Sequence, residues 1–463
     1  MAQAARSWRA GGALALFLLS TSIMNGTVFP LFDAVFMFAR DISVTVAAIA
    51  YVALGLAAWR APHLLTGRLV VAGNALAVAI GVAATAGGVA LASAPLLVAG
   101  SSLAAAGRSG IMVSVGLALT RLEARSAALA IGGAFAFQLI VSPLTGAMGA
   151  TVGLALFAAL PLAALALVAP PAVSSFEFAR GHASPSDLSI TRPASFVALF
   201  SLLFACLFFF QLAFGFALRF EEVAGSPRAS IVPAVPVVLV TGYMALTRRP
   251  FPADFSVQLS ALAIIAGFLC AVRPLLFAPA ADVALLNAGH GLFNLTAQIA
   301  LVAVAARNPV GAVTVLAWGS GVQSLGSLAG AGAGMIGNAA AAADATWGSL
   351  IPAVLLLVFA GWVIIGLKRF SFAELIAGVE PVEVSPAAAP EDLFDDRCAQ
   401  VAERFALTPR EAEVFAMLAR GRDRAYIEEA LVVSRNTVKA HVKHVYAKLG
   451  IHSHQELIDL VEG

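Results

Sequence analysis

The chain has 463 residues, 60% of them hydrophobic and 12% charged, and a formal net charge of +2. An ordinary soluble domain is about 25% charged, so a wholly soluble protein is excluded and most of this chain must face lipid. The charge is uneven: 10 of 28 Lys and Arg and 16 of 26 Asp and Glu follow residue 369, so the last fifth has the composition of a soluble domain.

Arg6 and Arg9 precede a first apolar run that is long and followed by others, which reads as a retained membrane helix rather than a cleaved leader. A span needs about 20 mostly apolar residues. About twelve such runs occur, near 11–32, 42–59, 69–92, 95–119, 126–148, 150–173, 195–218, 229–248, 254–277, 279–306, 308–337 and 345–367. The loops on the N-terminal side carry thirteen Lys and Arg and the opposite loops carry four, Arg40, Arg219, Arg228 and Arg273. This positive-inside bias, with an even number of spans, puts both termini in the cytoplasm.

A polar break at 174–194 divides six spans from six. This 6+6 layout resembles the major facilitator superfamily, whose halves are pseudo-symmetric six-helix bundles. That family often has a Gly-, Asp- and Arg-rich motif between helices 2 and 3. Here the loop reads Trp59-Arg60-Ala61-Pro62-His63 and ends Gly67-Arg68, keeping the basic residues and lacking the Asp.

Ionisable and amide groups inside spans are costly in lipid and mark function. Arg108, in mid-span, suits a carboxylate or phenolate ligand. His290, Asn294 and Gln298 recur every four residues and share one helix face. Gln138, Asn25 and Gln323 are further candidates for a ligand site. Interhelical hydrogen bonding is the alternative role for each of them.

After Lys368 and Arg369 the chain becomes acidic and rich in Pro and Ala, the composition of a flexible linker. The expected division is a membrane domain at 1–369, a linker at 370–399 and a soluble domain at 400–463.

In the soluble part Thr408, Pro409 and Glu411 spell a capping box, and Gly421 stops that first helix. A second helix starts at Asp423, with Ile427 and Leu431 inward. Ser434 caps a third helix that ends at Gly450, with Val438, Val442, Val445 and Leu449 as its buried stripe. The opposite face carries Asn436, Lys439, Ala440, Lys443 and His444, and the helix has no Asp or Glu. A basic helix after a capped helix and a short turn is built to enter a major groove. Ser453, with Glu456 at N3, starts a fourth helix.

The segment resembles the LuxR-type helix-turn-helix family. The matching residues are Leu407-Thr408-x-Arg410-Glu411, Gly421, Ile427, Leu431, Ser434, Thr437-Val438-Lys439-x-His441-Val442, Lys448-Leu449-Gly450 and Glu456. The resemblance implies dimeric binding to inverted repeats in promoter DNA. It places Lys439, Ala440 and Lys443 at base edges and Thr437 near phosphate. The family's second-helix Lys falls at Ala425, with Arg424 beside it to take its place. Glu428 stands where a small residue is usual, and His452-Ser453-His454 stands for the common Arg-x-Arg.

The whole is expected to be all-α: a polytopic bundle of about twelve spans, then a small four-helix domain. About 40 residues separate the last span from Leu407, too few for a phosphoreceiver, so the input has to come from the membrane domain. The chain is similar to membrane-bound bacterial LuxR-family regulators that respond to small metabolites. The expected partners are promoter DNA, the lipid of the bacterial inner membrane, a small-molecule ligand, a second copy on DNA and RNA polymerase. The alternative is a transporter with a regulatory tail. No nucleophile–base pair, phosphate loop, cofactor motif or metal cluster stands out, so neither an enzyme nor a metal or cofactor is expected. Cys206, Cys270 and Cys398 have no disulfide or zinc spacing.

Overall fold

A computed structural model describes residues 2–220, 231–247, 249, 251–272, 281–343, 345–381, 398, 401–402, 404–419, 421, 424–431, 433–451, 453 and 456–457. They divide into two compact units, Met1–Val382 and Glu383–Gly463. No strand occurs among the described residues, as an all-α fold requires.

In the first unit a helix stands at each of the twelve apolar runs. The first six are α1 (Ala2–Ile23), α2 (Ala39–Arg60), α3 (Gly67–Ala90), α4 (Ala94–Leu119), α5 (Ala124–Thr145) and α6 (Ala150–Arg180). After a short α7 (Pro185–Thr191) come α8 (Leu202–Phe220), α9 (Ala234–Thr247), α10 (Ala253–Val272), α11 (Ala281–Arg307), α12 (Ala312–Ala343) and α13 (Ala345–Gly366). Ten of the twelve segments are long and apolar enough to cross a membrane. The two others depart for different reasons. α9 has 14 described residues. α12 has 32, but its Gly, Ser and Gln residues dilute its hydropathy. Where the sequence reads as a polar break, α6 continues to Arg180, because Glu177 finds partners: its Oε1 accepts from Gly67 N (2.7 Å) and its Oε2 from Arg180 (3.2 Å).

The halves meet where α12 packs on α2 and α5 packs on α9 and α11. Arg219, at the end of α8, pairs with Asp41 in the first turn of α2. Arg125, in the first turn of α5, donates to Met244 O of α9 (3.2 Å). Within the second half the contact between α8 and α12 is backbone to backbone, with glycines at the crossing.

The stretch expected to be linker begins differently. Residues 372–378 form α14 (Phe372–Gly378), which packs on α10 and α11. Phe372, Leu375, Ile376 and Val379 recur at helical spacing and pack into the bundle core, which supplies the burial that the composition of the region as a whole conceals. From residue 382 onward that stretch lies outside the described residues, apart from Cys398.

The second unit has its own core of Val414, Phe415, Leu418, Ile427, Val438, Val442, Val445, Leu449 and Leu457. Its helices are α15 (Pro409–Ala419), α16 (Arg424–Leu431) and α17 (Arg435–Leu449).

Candidate functional site

The caps of the second unit form as the sequence requires. Thr408 N donates to Glu411 Oε2 (2.8 Å) and Glu411 N donates to Thr408 Oγ1 (3.3 Å), a reciprocal capping box. Gly421 has φ +75. Ser434 Oγ accepts from Thr437 N (3.3 Å), and Gly450 ends α17 with φ +67. Arg410 fixes the turn between α16 and α17, donating to Leu431 O (2.9 Å). Ser453 Oγ accepts from Glu456 N (3.1 Å), the cap expected for a fourth helix.

These caps fix the rotation of α17. Val438, Val442, Val445 and Leu449 are buried, while Asn436, Thr437, Lys439, Ala440, Lys443 and His444 are exposed. Lys439 and Lys443 stand one turn apart with no carboxylate partner among the described residues. They present two free ammonium groups on a convex helix, the form that enters a major groove. His444 lies at the flank of that face, with Nδ1 3.8 Å from Glu411 Oε1. Arg424 opens α16, and its side chain lies outside the described residues, as do His452 and His454.

Glu411 does more than cap. Its side chain is 7% exposed, and Oε2 accepts from Lys448 Nζ at 2.6 Å, joining the first helix to the end of α17. The Lys448 hydrogen bond, then the Thr408 N–H, holds the carboxyl down at about 2, against 4.5 ordinarily. A carboxyl depressed on folding stabilises fully above its unfolded value, and that stability is lost as pH falls through the folded value. Glu411→Gln is expected to cost the tail about 1 kcal/mol at neutral pH, since one partner of the charge-assisted bond is part-exposed. Between pH about 4.5 and about 2 the variant should lose less stability than the parent. Urea melts across that window measure both; parallel pH curves would remove Glu411 as the acid-sensitive link.

Within the bundle, Arg108 is buried between Phe17 and Phe157, its guanidinium carbon 4.8 Å from each ring centroid. It donates to Ser20 Oγ (2.5 Å) and Thr21 Oγ1 (2.9 Å) and forms no ion pair among the described residues. Gln138 Nε2 donates to Ser22 Oγ (2.6 Å). His290 and Asn294 stand together, with His290 Nε2 3.3 Å from Asn294 Nδ2 and its ring stacked on Phe214 at 3.6 Å. Sequence reasoning missed Gln211. Its Nε2 donates to Asn294 Oδ1 (3.0 Å) and Gln323 Oε1 (3.2 Å), tying α8, α11 and α12 into one amide cluster. A lone Gln buried in a Phe-rich run was its only signal. Gln298 is buried one turn beyond Asn294, whereas Asn25 is exposed and apart from the cluster. A cavity of about 180 Å³ opens at the ends of α4, α6, α11 and α12, with Thr120, Arg121 and Ser175 in its lining. Neither Arg108 nor His290 borders it.

These two units define the class: a helix-turn-helix DNA-binding domain fused to a multi-pass helical membrane bundle. Residues 406–461 match the family of bacterial regulatory proteins, luxR family. The Fimbriae Z protein of Salmonella typhimurium is 43% identical over 53 residues, 11% of this chain and 25% of that protein. A Mycobacterium tuberculosis protein named as an HTH-type transcriptional regulator is 43% identical over 53 residues, 11% of this chain and 6% of that protein. The chain thus spans a quarter or less of these relatives, and the likeness is one of the tail. The bundle has the major-facilitator fold. It resembles the E. coli fucose:proton symporter (TM-score 0.51, 14% identity, 79% of this chain and 98% of that one). It also resembles a bacterial homologue of the iron transporter ferroportin (TM-score 0.52, 14% identity, 78% and 98%).

Proposed function

We propose that the chain is a one-component transcription regulator of the bacterial inner membrane, with both termini cytoplasmic. Its membrane domain senses a small molecule, and its tail binds an inverted repeat in promoter DNA as a dimer, where it meets RNA polymerase. The observation that carries this reading is the free basic face of α17 on a chain whose remainder is a membrane bundle. Arg424, Asn436, Thr437, Lys439, Ala440, Lys443 and His444 are its DNA-binding residues. A ligand shifts the bundle only by binding one arrangement better than another. Arg108, held by hydroxyls and rings, offers a cation to an anionic ligand, with Gln138, His290, Asn294 and Gln298 as further ligand contacts.

The test is a reporter driven by the duplex that the chain selects from a random pool, exposed to a panel of small carboxylates and phenols. A compound that changes reporter output several-fold supports the reading, and Arg108→Ala should silence that response while duplex binding survives. An unchanged response in that variant takes Arg108 out of the site. The bundle's likeness to transporters favours a second reading, a transporter with a regulatory tail. Saturable uptake of the active compound into proteoliposomes would establish it.

A further inference from the structure

The helix α14 is fastened to the bundle at both ends. At its start, Asp254 in the first turn of α10 accepts from Phe372 N (2.7 Å) and from Ser371 Oγ (2.7 Å). At its end, Arg307 Nη1, the last residue of α11, donates to Ala377 O and Val379 O, both at 2.9 Å. These are the carbonyls a helix end leaves without partners. Between the clamps, Phe372 is 1% exposed and meets Phe293 of α11 edge-on.

A third fastening leads to the segment between the two halves. Glu380 N donates to Ala194 O (3.1 Å). The neighbouring Ser195 O accepts from Asn308 Nδ2 (2.8 Å), and Asn308 directly follows Arg307. Phe196 then meets Trp59 of α2, in the first half, edge to face at 6.2 Å. One side of this chain of contacts therefore ends on α2, another on α10 and α11, and all of them converge on the residues that precede the tail.

We propose that α14 is a transmission strap that couples the arrangement of the two halves to the DNA-binding tail, with Asp254 and Arg307 as positioning residues. This rests on the regulator reading above and adds its route. A change in how the halves sit moves α2 against Phe196 and shifts the ends of α10 and α11. The strap, held at three points, has to follow, and so does the start of the chain leading to the tail. A rigid element whose position both sites bias is what coupling requires. A composition-only linker starting at residue 370 would pass nothing on.

The test uses the full chain in lipid nanodiscs, titrated with the duplex it selects. Four changed chains stand beside the parent: Arg307→Gln, Asp254→Asn, the two combined, and a chain with ten Gly/Ser residues inserted after Pro381. The inserted chain is uncoupled by design. Its Kd should differ from the parent's by at least fivefold. Each single variant should move the Kd to within twofold of the inserted chain, and the double variant should go no further, because both release one element. Hydrogen exchange at 372–378 should rise in each variant, with the melting of the bundle unchanged. A parent and inserted chain of equal Kd would overturn the strap, as would variants that release residues 372–378 and leave the parent's Kd in place. A parent that shows no sequence preference for any duplex would sink the regulator reading itself, and the strap with it.

Discussion

Replacing Lys439 and Lys443 together by alanine is expected to weaken binding of the selected duplex about 100-fold. One turn apart on α17, the two ammonium groups face the same way, and both are exposed. A side chain that reads a base edge is worth about 1–3 kcal/mol, and about 1.4 kcal/mol is a factor of ten. The variant should fold normally, because neither side chain packs in the core of the unit and alanine is the best helix former. The salt dependence separates base reading from phosphate contact. If the lysines read bases, affinity falls on the selected duplex and stays nearly level on scrambled DNA. If they touch phosphate, binding weakens on every sequence, and the slope of log affinity against log salt falls by about one unit per lysine. Titrations of both duplexes at several salt concentrations decide this. A double variant that keeps the parent's affinity on both would remove this face of α17 from the interface.

The tail was legible because its signals are local. A cap is a pattern within four residues, and a buried stripe repeats every turn, so Thr408, Glu411, Ser434 and Val438 announce their positions. The link from Glu411 to Lys448 was not legible, since the partners lie 37 residues apart and meet only when α15 packs on α17. The bundle divides the same way. Its runs of apolar residues gave the helices, α12 among them, although the small residues that serve packing there lower its hydropathy. Gln211 gave no periodic signal, and its partner Asn294 lies 83 residues on. The strap was hidden by averaging: four apolar positions over one helical stretch are diluted by the acidic Pro- and Ala-rich sequence that follows.

The larger structural effect is expected from Gly330→Val. In lipid no hydrophobic force drives helices together, so close backbone approach at small residues carries much of the association. Gly326 and Gly330 stand four apart on α12 and face α8. A Cβ on Gly330 would lie 1.9 Å from Leu212 O, and one on Gly326 would lie 2.4 Å from Phe208 O. Across the crossing, a Cβ on Gly215 would lie 1.9 Å from Ser327 O. Each obstacle is backbone, so no side-chain rotation relieves it, and the helices have to separate. Overpacking in a core costs about 1–3 kcal/mol where side chains can yield, and a backbone collision lies at or beyond the top of that range. Separation also pulls Gln211 away from Gln323, breaking the amide cluster that joins α8, α11 and α12. Gly332 supplies the control on the same helix, for a Cβ there meets nothing within 4 Å. Gly332→Ala should leave thermal unfolding of the detergent-solubilised chain within about a degree of the parent or slightly above it. Gly330→Val should lower it by many degrees or fail to yield a monodisperse peak. Equal melting of the two variants would show that α8 and α12 are not in backbone contact at this crossing.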